Sequence, residues 1–394
     1  MRRSPARSSS WIPGVSARPT SRGSSSPSCA APSGHSTAST IPMRGNAPEG
    51  WHDTGMRMGM NFTREAPFPG ASFGAALRLD GDAAKIVAAA ESDPKALPAA
   101  LAEAKGLLLI QGMNGISADP DLLIRLSRVF GPEVEDYRHT LTNLTSVHVS
   151  VPEILLVSNM PPVGKAPPKR PDPPLAADGL IPTQYPHRMG WHTDQSYRRP
   201  PPDISLFYAV TPAEKNTGQT LFANGILAYQ ALPPALKEKV DTLVGLHAQP
   251  GSGRSREAAV AGRTPRVFAA HERSQPQPVV RIHPVTGEKS LYLCEWGQMD
   301  WFEGPFVGLE PGPHGAGAAL LDEIMAHFTE RRFCYAHEWT EGDLLIWDNR
   351  CLVHAATWFD GEREGRLMWR TTVHGNPGAP YLGEKKSWIP APAV

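Results

Sequence analysis

The chain is 394 residues long, 40% hydrophobic and 20% charged, ordinary globular proportions that supply a sizeable core for one large domain or two. Lys plus Arg and Asp plus Glu stand at 39 each, which removes the electrostatic case for a nucleic acid or an anionic membrane surface as partner. No apolar run approaches the ~20 residues of a transmembrane helix, and the four cysteines (Cys29, Cys294, Cys334, Cys351) show no CxxC spacing, which fits a reduced, cytoplasmic setting and excludes a disulfide framework or zinc ribbon.

Residues 1–48 are rich in Ser, Arg, Pro and Gly, with six arginines and no acidic residue. That composition predicts a disordered tail; an organelle transit peptide and a solvated extension with a later start (Met43, Met56, Met58 or Met60) are the two readings. Globular sequence begins at about residue 70 and runs to 376, and residues 377–394 form a Pro-rich C-terminal tail. Phe73–Leu79 reads as a short strand, followed by helical segments interrupted at Pro94 and Pro98. Leu107–Ile110 is a continuous apolar run that suits a buried strand behind Gly106. A helix follows with Asp119 as N-cap, Pro120 at its first position and Gly131 just past its end.

Residues 161–186 hold nine prolines, and a loop of that length inside a compact domain suggests a lid. Asp203–Val210 and Thr220–Phe222 read as strands, and two short helices follow, the second opening at Pro233-Pro234. Residues 248–278 read as a mobile connection. The run 279–283 and the run 290–293 flank Thr286-Gly287 as a hairpin. Residues 316–331 form an amphipathic helix. Leu344–Trp347, Cys351–Ala355 and Arg366–Val373 are strands, with a turn at Asp348-Asn349.

Chemistry concentrates in the stretch Trp191-His192-Thr193-Asp194. Read as a strand, it projects His192 and Asp194 to one face, since residues i and i+2 share a side. One more inward histidine would complete the two-His, one-carboxylate set that holds non-heme Fe(II) with open coordination positions. His354, in a strand-like run far along the chain, is the candidate. A lone His-x-Asp is weak, and a single histidine in an apolar strand is commonly a satisfied core residue; other residues change the weighting. Arg366 and Arg370 share a strand face ~13 Å apart. Two arginines on an otherwise apolar strand are costly to bury without anions, and the planar guanidinium suits carboxylates. Pairing with Asp or Glu side chains is the alternative.

The segments Trp191–Asp194, Thr217-Gly218-Gln219-Thr220-Leu221-Phe222, Trp347-Asp348-Asn349-Arg350 through His354, and Arg366–Arg370 occur in that order. Together they resemble the taurine dioxygenase/phenoxyacetate dioxygenase (TauD/TfdA) family of Fe(II)- and 2-oxoglutarate-dependent oxygenases. The resemblance implies a mainly β fold with flanking helices, a double-stranded β-helix of the jelly-roll, cupin-like kind. It implies His192, Asp194 and His354 as iron ligands and catalytic residues, Arg366 and Thr220 as holders of the distal carboxylate of 2-oxoglutarate, and Arg370 as the binder of an anionic group on the prime substrate. Fe(II), 2-oxoglutarate and O2 are then the expected cofactors and cosubstrates. Asp194 also separates the chain from related halogenases, which lack this carboxylate, so hydroxylation is the expected outcome.

Two departures bear on the substrate. Family members commonly carry Gly-Gly-Asp-Thr where this chain has Thr217-Gly218-Gln219-Thr220, and the region before His192 is individual. Tyr137, Arg138, His139 and His148 are candidate substrate contacts, each with an exposed-loop alternative. A small carboxylate or sulfonate is expected as substrate, with no nucleic-acid or membrane partner and homo-oligomerisation left open. Rival readings are C–O or C–S cleavage through an unstable carbinol, a non-catalytic barrel binding an organic acid, and a zinc hydrolase. The last is disfavoured by the spacing of the histidines and by the paired arginines.

Overall fold

The computed structural model describes residues 60–375 apart from 141–143, 171, 173–174, 176–178, 181–189, 266–272 and 296. The expected N-terminal and C-terminal tails lie outside the described residues, as does about half of the 161–186 segment.

In chain order, β1 (Phe62–Glu65) and β2 (Ala75–Leu79) lead to α1 (Ala83–Ser92), α2 (Ala96–Glu103) and β3 (Leu107–Ile110). Then come α3 (Gly115–Ala118), α4 (Asp121–Arg128), β4 (Leu155–Ser158), β5 (Ile204–Thr211) and β6 (Thr220–Asn224). The middle of the chain forms α5 (Gly225–Gln230), α6 (Pro234–Val240), β7 (Val244–His247), α7 (Arg256–Val260), β8 (Gln275–Pro278), β9 (Val280–Ile282) and β10 (Lys289–Leu291). It closes with α8 (Ala316–Phe328), β11 (Cys334–His337), β12 (Leu344–Asp348), β13 (Leu352–Ala356) and β14 (Leu367–Val373). None of the helices among the described residues is long and apolar enough to cross a membrane.

Seven strands form one sheet in the order β1-β2-β3-β12-β5-β14-β4, antiparallel except for the parallel pair β2–β3. A three-stranded sheet, β11-β6-β13, is antiparallel throughout. The period-2 alternation of side chains decides what each face does. Along β12, Leu344 and Ile346 pack with α1, α2 and α4 on one face, while Leu345 and Trp347 enter a second core on the other. β3 divides likewise, Leu108 and Ile110 against Leu107 and Leu109. A strand buried on both faces has no solvent side to keep polar, which accounts for its unbroken apolar run. The three-stranded sheet mirrors this pattern. Leu221, Ala223, Val353 and Ala355 face α5, α6 and α8, while Phe222 and Leu352 join Trp347 in the core between the sheets.

Gly106 fixes the entry to β3. Its φ is +92°, and a Cβ there would fall 2.6 Å from Cys351 Sγ, so the left-handed turn tucked under β13 admits only glycine.

Several elements differ from their sequence-based outlines. β1 lies before residue 70 and pairs antiparallel with β2 along its whole length. α4 starts one residue later than predicted, with Pro120 at the cap position and Asp119 accepting from Asp121 N–H at 3.3 Å. The 248–278 connection contains α7, capped by Ser255, and β8, which pairs with β7 despite two prolines. The Trp191–Asp194 stretch is not a strand: only His192 makes a β-bridge, and Asp194 opens a turn. The reason is local, since the Asp194 N–H is taken at 3.2 Å by the side chain of Asn349, which offers no ladder to continue.

Candidate active site

The site lies where the two sheets share their inner core. His192 is held by a two-way bridge to β13: its N–H donates to His354 O at 3.1 Å and its carbonyl accepts from His354 N–H at 2.7 Å. That pairing sets the two imidazoles side by side, with ring centroids 4.3 Å apart. His354 alternates with Val353 and Ala355 and so faces inward, against Trp347 at 4.8 Å and near Phe222. The turn after Thr193 returns Asp194 to the same spot. Ligand atoms of His192, Asp194 and His354 lie within 4.8 Å of one another.

The donor chemistry suits a divalent transition metal. His192 Nδ1 is bonded to Gly190 O at 3.0 Å, which turns Nε2 toward the cluster, the outer-shell arrangement usual for metal-binding histidines. His354 Nε2 stands 3.8 Å from Asp194 Oδ1, too far for a hydrogen bond. Burial lowers the pKa of both imidazoles, and His192 lowers that of His354 further, to about 3; both are therefore neutral at physiological pH, the form in which an imidazole can bind a metal. For Asp194, burial pushes the pKa up, but Arg370, the two histidines and a bond from Ser205 outweigh it and keep the carboxylate ionised.

Asp194 is positioned by a network centred on Asn349. Asn349 Oδ1 accepts from Trp347 Nε1 at 2.9 Å and from Asp194 N–H and Thr193 Oγ1 at 3.2 Å each. Its Nδ2 donates to Ser205 Oγ at 2.9 Å, and Ser205 Oγ donates to Asp194 Oδ2 at 2.7 Å. Thus one buried amide fixes both the backbone and the carboxylate of Asp194. Neither Asn349 nor Ser205 stands out as a site residue in the sequence. The only signal for Asn349 is its place in the Trp-Asp-Asn-Arg run, and Ser205 becomes readable only once β5 is paired with β12.

β14 and the residue just before it supply two cations to the same side. Arg370, Met368 and Arg366 alternate with Trp369, which packs into the helix-facing core. Arg370 Nη1 donates to Asp194 Oδ1 at 2.6 Å. Burial pulls its guanidinium down, but Asp194 with Tyr137 and Tyr197 more than compensates, and it stays above its ordinary value. Arg366 differs. It is 6% exposed, its Nε has no hydrogen-bond partner, and no carboxylate pairs with it among the described residues; its guanidinium lies between Phe207 and Phe359, 5.8 and 5.9 Å from the ring centroids. Burial alone lowers its pKa from 12.5 to about 10. Beside it, Gly218 adopts φ +60° and a Cβ there would sit 3.7 Å from Arg366 Nε. Thr220 Oγ1 accepts from Trp339 Nε1 at 3.0 Å, which leaves its own O–H to donate elsewhere.

Gln219 is tied into the β6–β13 corner. It accepts from Thr357 Oγ1 at 2.6 Å and donates to Glu338 at 3.1 Å. Of the four other sequence candidates, Tyr137 is fully buried, bonded to Thr372 Oγ1 at 2.7 Å, and borders Arg370. Arg138 pairs with Asp136 at the surface, His139 is 78% exposed, and His148 packs edge-on against Trp369.

A second cluster, His283, Asp348 and Cys351, also brings ligand atoms within 4.8 Å, but its hydrogen bonding is that of a structural knot. His283 Nδ1 accepts from Val285 and Thr286 N–H at 3.3 and 3.2 Å, so Nε2 carries the proton it donates to Asp348 at 3.0 Å. Arg350 occupies both oxygens of the same carboxylate. Burial holds the Cys351 thiol well above its ordinary pKa, against the thiolate a metal needs.

The model of the family "Taurine catabolism dioxygenase TauD, TfdA family" matches residues 65–372. The chain is 34% identical over 197 residues to the (S)-phenoxypropionate/alpha-ketoglutarate-dioxygenase of Sphingobium herbicidovorans, covering 48% of this chain and 64% of that one. It is 32% identical over 185 residues to the alpha-ketoglutarate-dependent 2,4-dichlorophenoxyacetate dioxygenase of Cupriavidus pinatubonensis, covering 46% and 59%. The matched region thus spans about three-fifths of the length of these relatives. Among solved structures, AAD-2 in complex with Mn(II) and N-oxalylglycine superposes with a TM-score of 0.59 at 24% identity, over 84% of this chain and all of that one. The fold is therefore that of the TauD-type dioxygenases, and the chain belongs to the TauD/TfdA family.

Proposed function

We propose that the chain is an Fe(II)- and 2-oxoglutarate-dependent dioxygenase that oxidises a small anionic molecule with release of succinate and CO2. The observation that carries this reading is Arg366, a buried guanidinium with no carboxylate partner among the described residues, on the same strand face as a cation that meets the His192, Asp194 and His354 cluster. A buried cation left unpaired is costly, and a ligand carboxylate at Arg366 and Thr220 removes that cost. His192, Asp194 and His354 would hold the metal, which when bound supplies activation of O2 coupled to decarboxylation of the cosubstrate. Asp194 and the two neutral imidazoles present three donors and leave the remaining positions open. Trp347, Phe222 and Phe207 wall the site with apolar surface and keep water from the reacting centre. Arg370 would hold an anionic group of the prime substrate.

The same reading takes the two sheets as the halves of a double-stranded β-helix, supported by the core they share between their inner faces. It also keeps a cytoplasmic setting, in line with the free thiols of Cys294, Cys334 and Cys351. C–O cleavage is a second outcome of the same chemistry. The two relatives are named for substrates with an ether oxygen, and hydroxylating the carbon that bears it gives a hemiacetal that collapses. The test is a screen of carboxylates, sulfonates and aryloxy acids for succinate production dependent on O2, Fe(II) and the added acid, with products identified by mass spectrometry. Protein that binds neither Fe(II) nor 2-oxoglutarate would refute the reading.

A further inference from the structure

Asn159 is a polar residue to which the proposed chemistry gives no role. It directly follows β4, and the register that pairs Leu367 with Ser158 sets it opposite Arg366, one step past the end of the ladder. There a side chain takes over from the main chain. Asn159 Oδ1 accepts from Arg366 N–H at 2.8 Å, while its Nδ2 donates to Gly361 O at 3.1 Å and to Glu364 O at 2.7 Å. The reverse orientation would set an NH2 against an N–H and an oxygen against two carbonyls, so the network fixes the direction of the amide. Asn159 is itself held by a tight turn. Ser158 Oγ accepts from Met160 N–H at 3.0 Å, and Met160 O accepts from Val163 and Gly164 N–H at 3.0 Å each.

We propose that Asn159 is a positioning residue for the cosubstrate: by holding the main chain at Arg366 it aims the buried guanidinium at the distal carboxylate of 2-oxoglutarate. This rests on the dioxygenase reading above. The far end of Arg366 is not tied down, since its Nε has no hydrogen-bond partner and no carboxylate pairs with it among the described residues. Its direction must therefore come from its base. On the β5 side the ladder does not supply that direction, because the register shifts between Leu367 and Met368, one step short of Arg366. Such irregularities re-aim side chains, and a slip of one residue turns a side chain to the other face. The β4 side is regular up to Ser158, and Asn159 extends it by one residue.

The loop that Asn159 pins, residues 357–366, also builds the surroundings of the guanidinium. Phe359 is one of the two rings beside it. Trp358 O accepts from Gly218 N–H, and Glu364 Oε2 accepts from Glu214 N–H, both at 2.8 Å, which joins the loop to the turn that leads into Thr220. One amide thus braces the arginine, a ring that walls it and the connection to the threonine. A guanidinium set in place before the ligand arrives loses less freedom on binding, which is how a residue that never touches the ligand raises its affinity.

The test uses the full chain loaded with Mn(II) and two probes, 2-oxoglutarate and oxalate. Both chelate a metal, but only 2-oxoglutarate has a distal carboxylate to reach Arg366. Calorimetry compares the native chain with Asn159→Ala and Arg366→Met. Asn159→Ala weakens 2-oxoglutarate binding about tenfold, the range of one lost hydrogen bond, and leaves the affinities for oxalate and Mn(II) unchanged. Arg366→Met shows the same selectivity with a larger loss. Asn159→Asp keeps the shape of the side chain but sets a carboxylate oxygen against the Gly361 and Glu364 carbonyls; it gives the same pattern and serves if the alanine protein does not fold. Native affinity for 2-oxoglutarate in the Asn159 variants overturns the proposal. Equal losses for 2-oxoglutarate and oxalate overturn it too, because Asn159 would then support the metal cluster or the fold at large. A native chain that binds no Mn(II) or no 2-oxoglutarate removes the dioxygenase reading and this proposal with it, a result visible before any variant is compared.

Discussion

Replacing Arg366 with methionine should make the ligand-free protein more stable and the cosubstrate complex much weaker. Its guanidinium falls from 12.5 to about 10 because burial disfavours the charge, with no compensating partner. At 1.36 kcal/mol per pH unit, that fall is about 3 kcal/mol of destabilisation by the charged form. The folded value lies below the unfolded one, so the cost is fully present at neutral pH and fades only between about pH 10 and 12.5. Methionine keeps the volume of the stem, and the cation–π contacts with Phe207 and Phe359 return about 1 kcal/mol in total at such distances. The expected net gain for Arg366→Met is therefore about 1–3 kcal/mol, a few degrees in Tm. Without the guanidinium, 2-oxoglutarate should lose about 2–5 kcal/mol of binding, enough to abolish its thermal stabilisation at ligand concentrations that shift the native chain. Arg370 supplies the contrast, since removing it leaves Asp194 buried and unpaired; Arg370→Met should destabilise the metal-free protein by about 3–5 kcal/mol. Thermal unfolding of the three chains, with and without Mn(II) and 2-oxoglutarate, reads all of these effects. An Arg366→Met protein that melts well below the native chain and is still stabilised by 2-oxoglutarate would show that Arg366 has a structural partner and does not hold the cosubstrate.

Asn349→Ala should weaken divalent-metal binding about 10–100-fold while leaving the fold intact by circular dichroism, because it releases both the Asp194 N–H and Ser205; unchanged metal affinity would remove Asn349 from its positioning role. In steady-state kinetics Arg370→Ala should raise KM for the prime substrate far more than KM for 2-oxoglutarate, and Arg366→Ala should do the reverse; equal effects on both constants would contradict that division. Acid should destabilise the metal-free protein through its buried histidines. His247 is held at about 3 by burial and the neighbouring Arg281, and His354 at about 3 by burial and His192. Both values lie below that of the unfolded chain, so their contribution is complete above pH 6.5 and is lost as pH falls toward 3, at about 1.4 kcal/mol per pH unit for each. Urea unfolding between pH 6 and 5 should show this slope, shared with His192, whose pKa burial also lowers, and His247→Gln should remove its own share of it; the same slope in the variant would mean that other groups set the acid limit.

The parts of the candidate site that were legible in the sequence are those whose chemistry is costly to bury. His192, Asp194, His354, Arg366 and Arg370 stand out because a carboxylate or guanidinium among Trp, Leu and Met needs a reason, and period-2 spacing already places Arg366 and Arg370 on one face. An apolar run reads β3 as a buried strand, and β12 and β13 are read as strands beside the turn at Asp348-Asn349. Such reading fails at Trp191–Asp194, where side-chain convergence was inferred from a strand but is produced by one bridge and a turn. A sequence cannot distinguish those two routes, because both bring His192 and Asp194 together. It fails again for β8, where two prolines argue against a strand, yet only the pairing with β7 decides the matter. Asn349 and Ser205 are ordinary polar residues until the β5–β12 register sets Ser205 beside Asp194. The difference is physical. A metal face must be assembled from groups that tolerate burial only for a purpose, whereas the residues that position them, such as Asn349 and Ser205, are ordinary polar side chains, so the supporting network hides where local sequence carries the weakest signal.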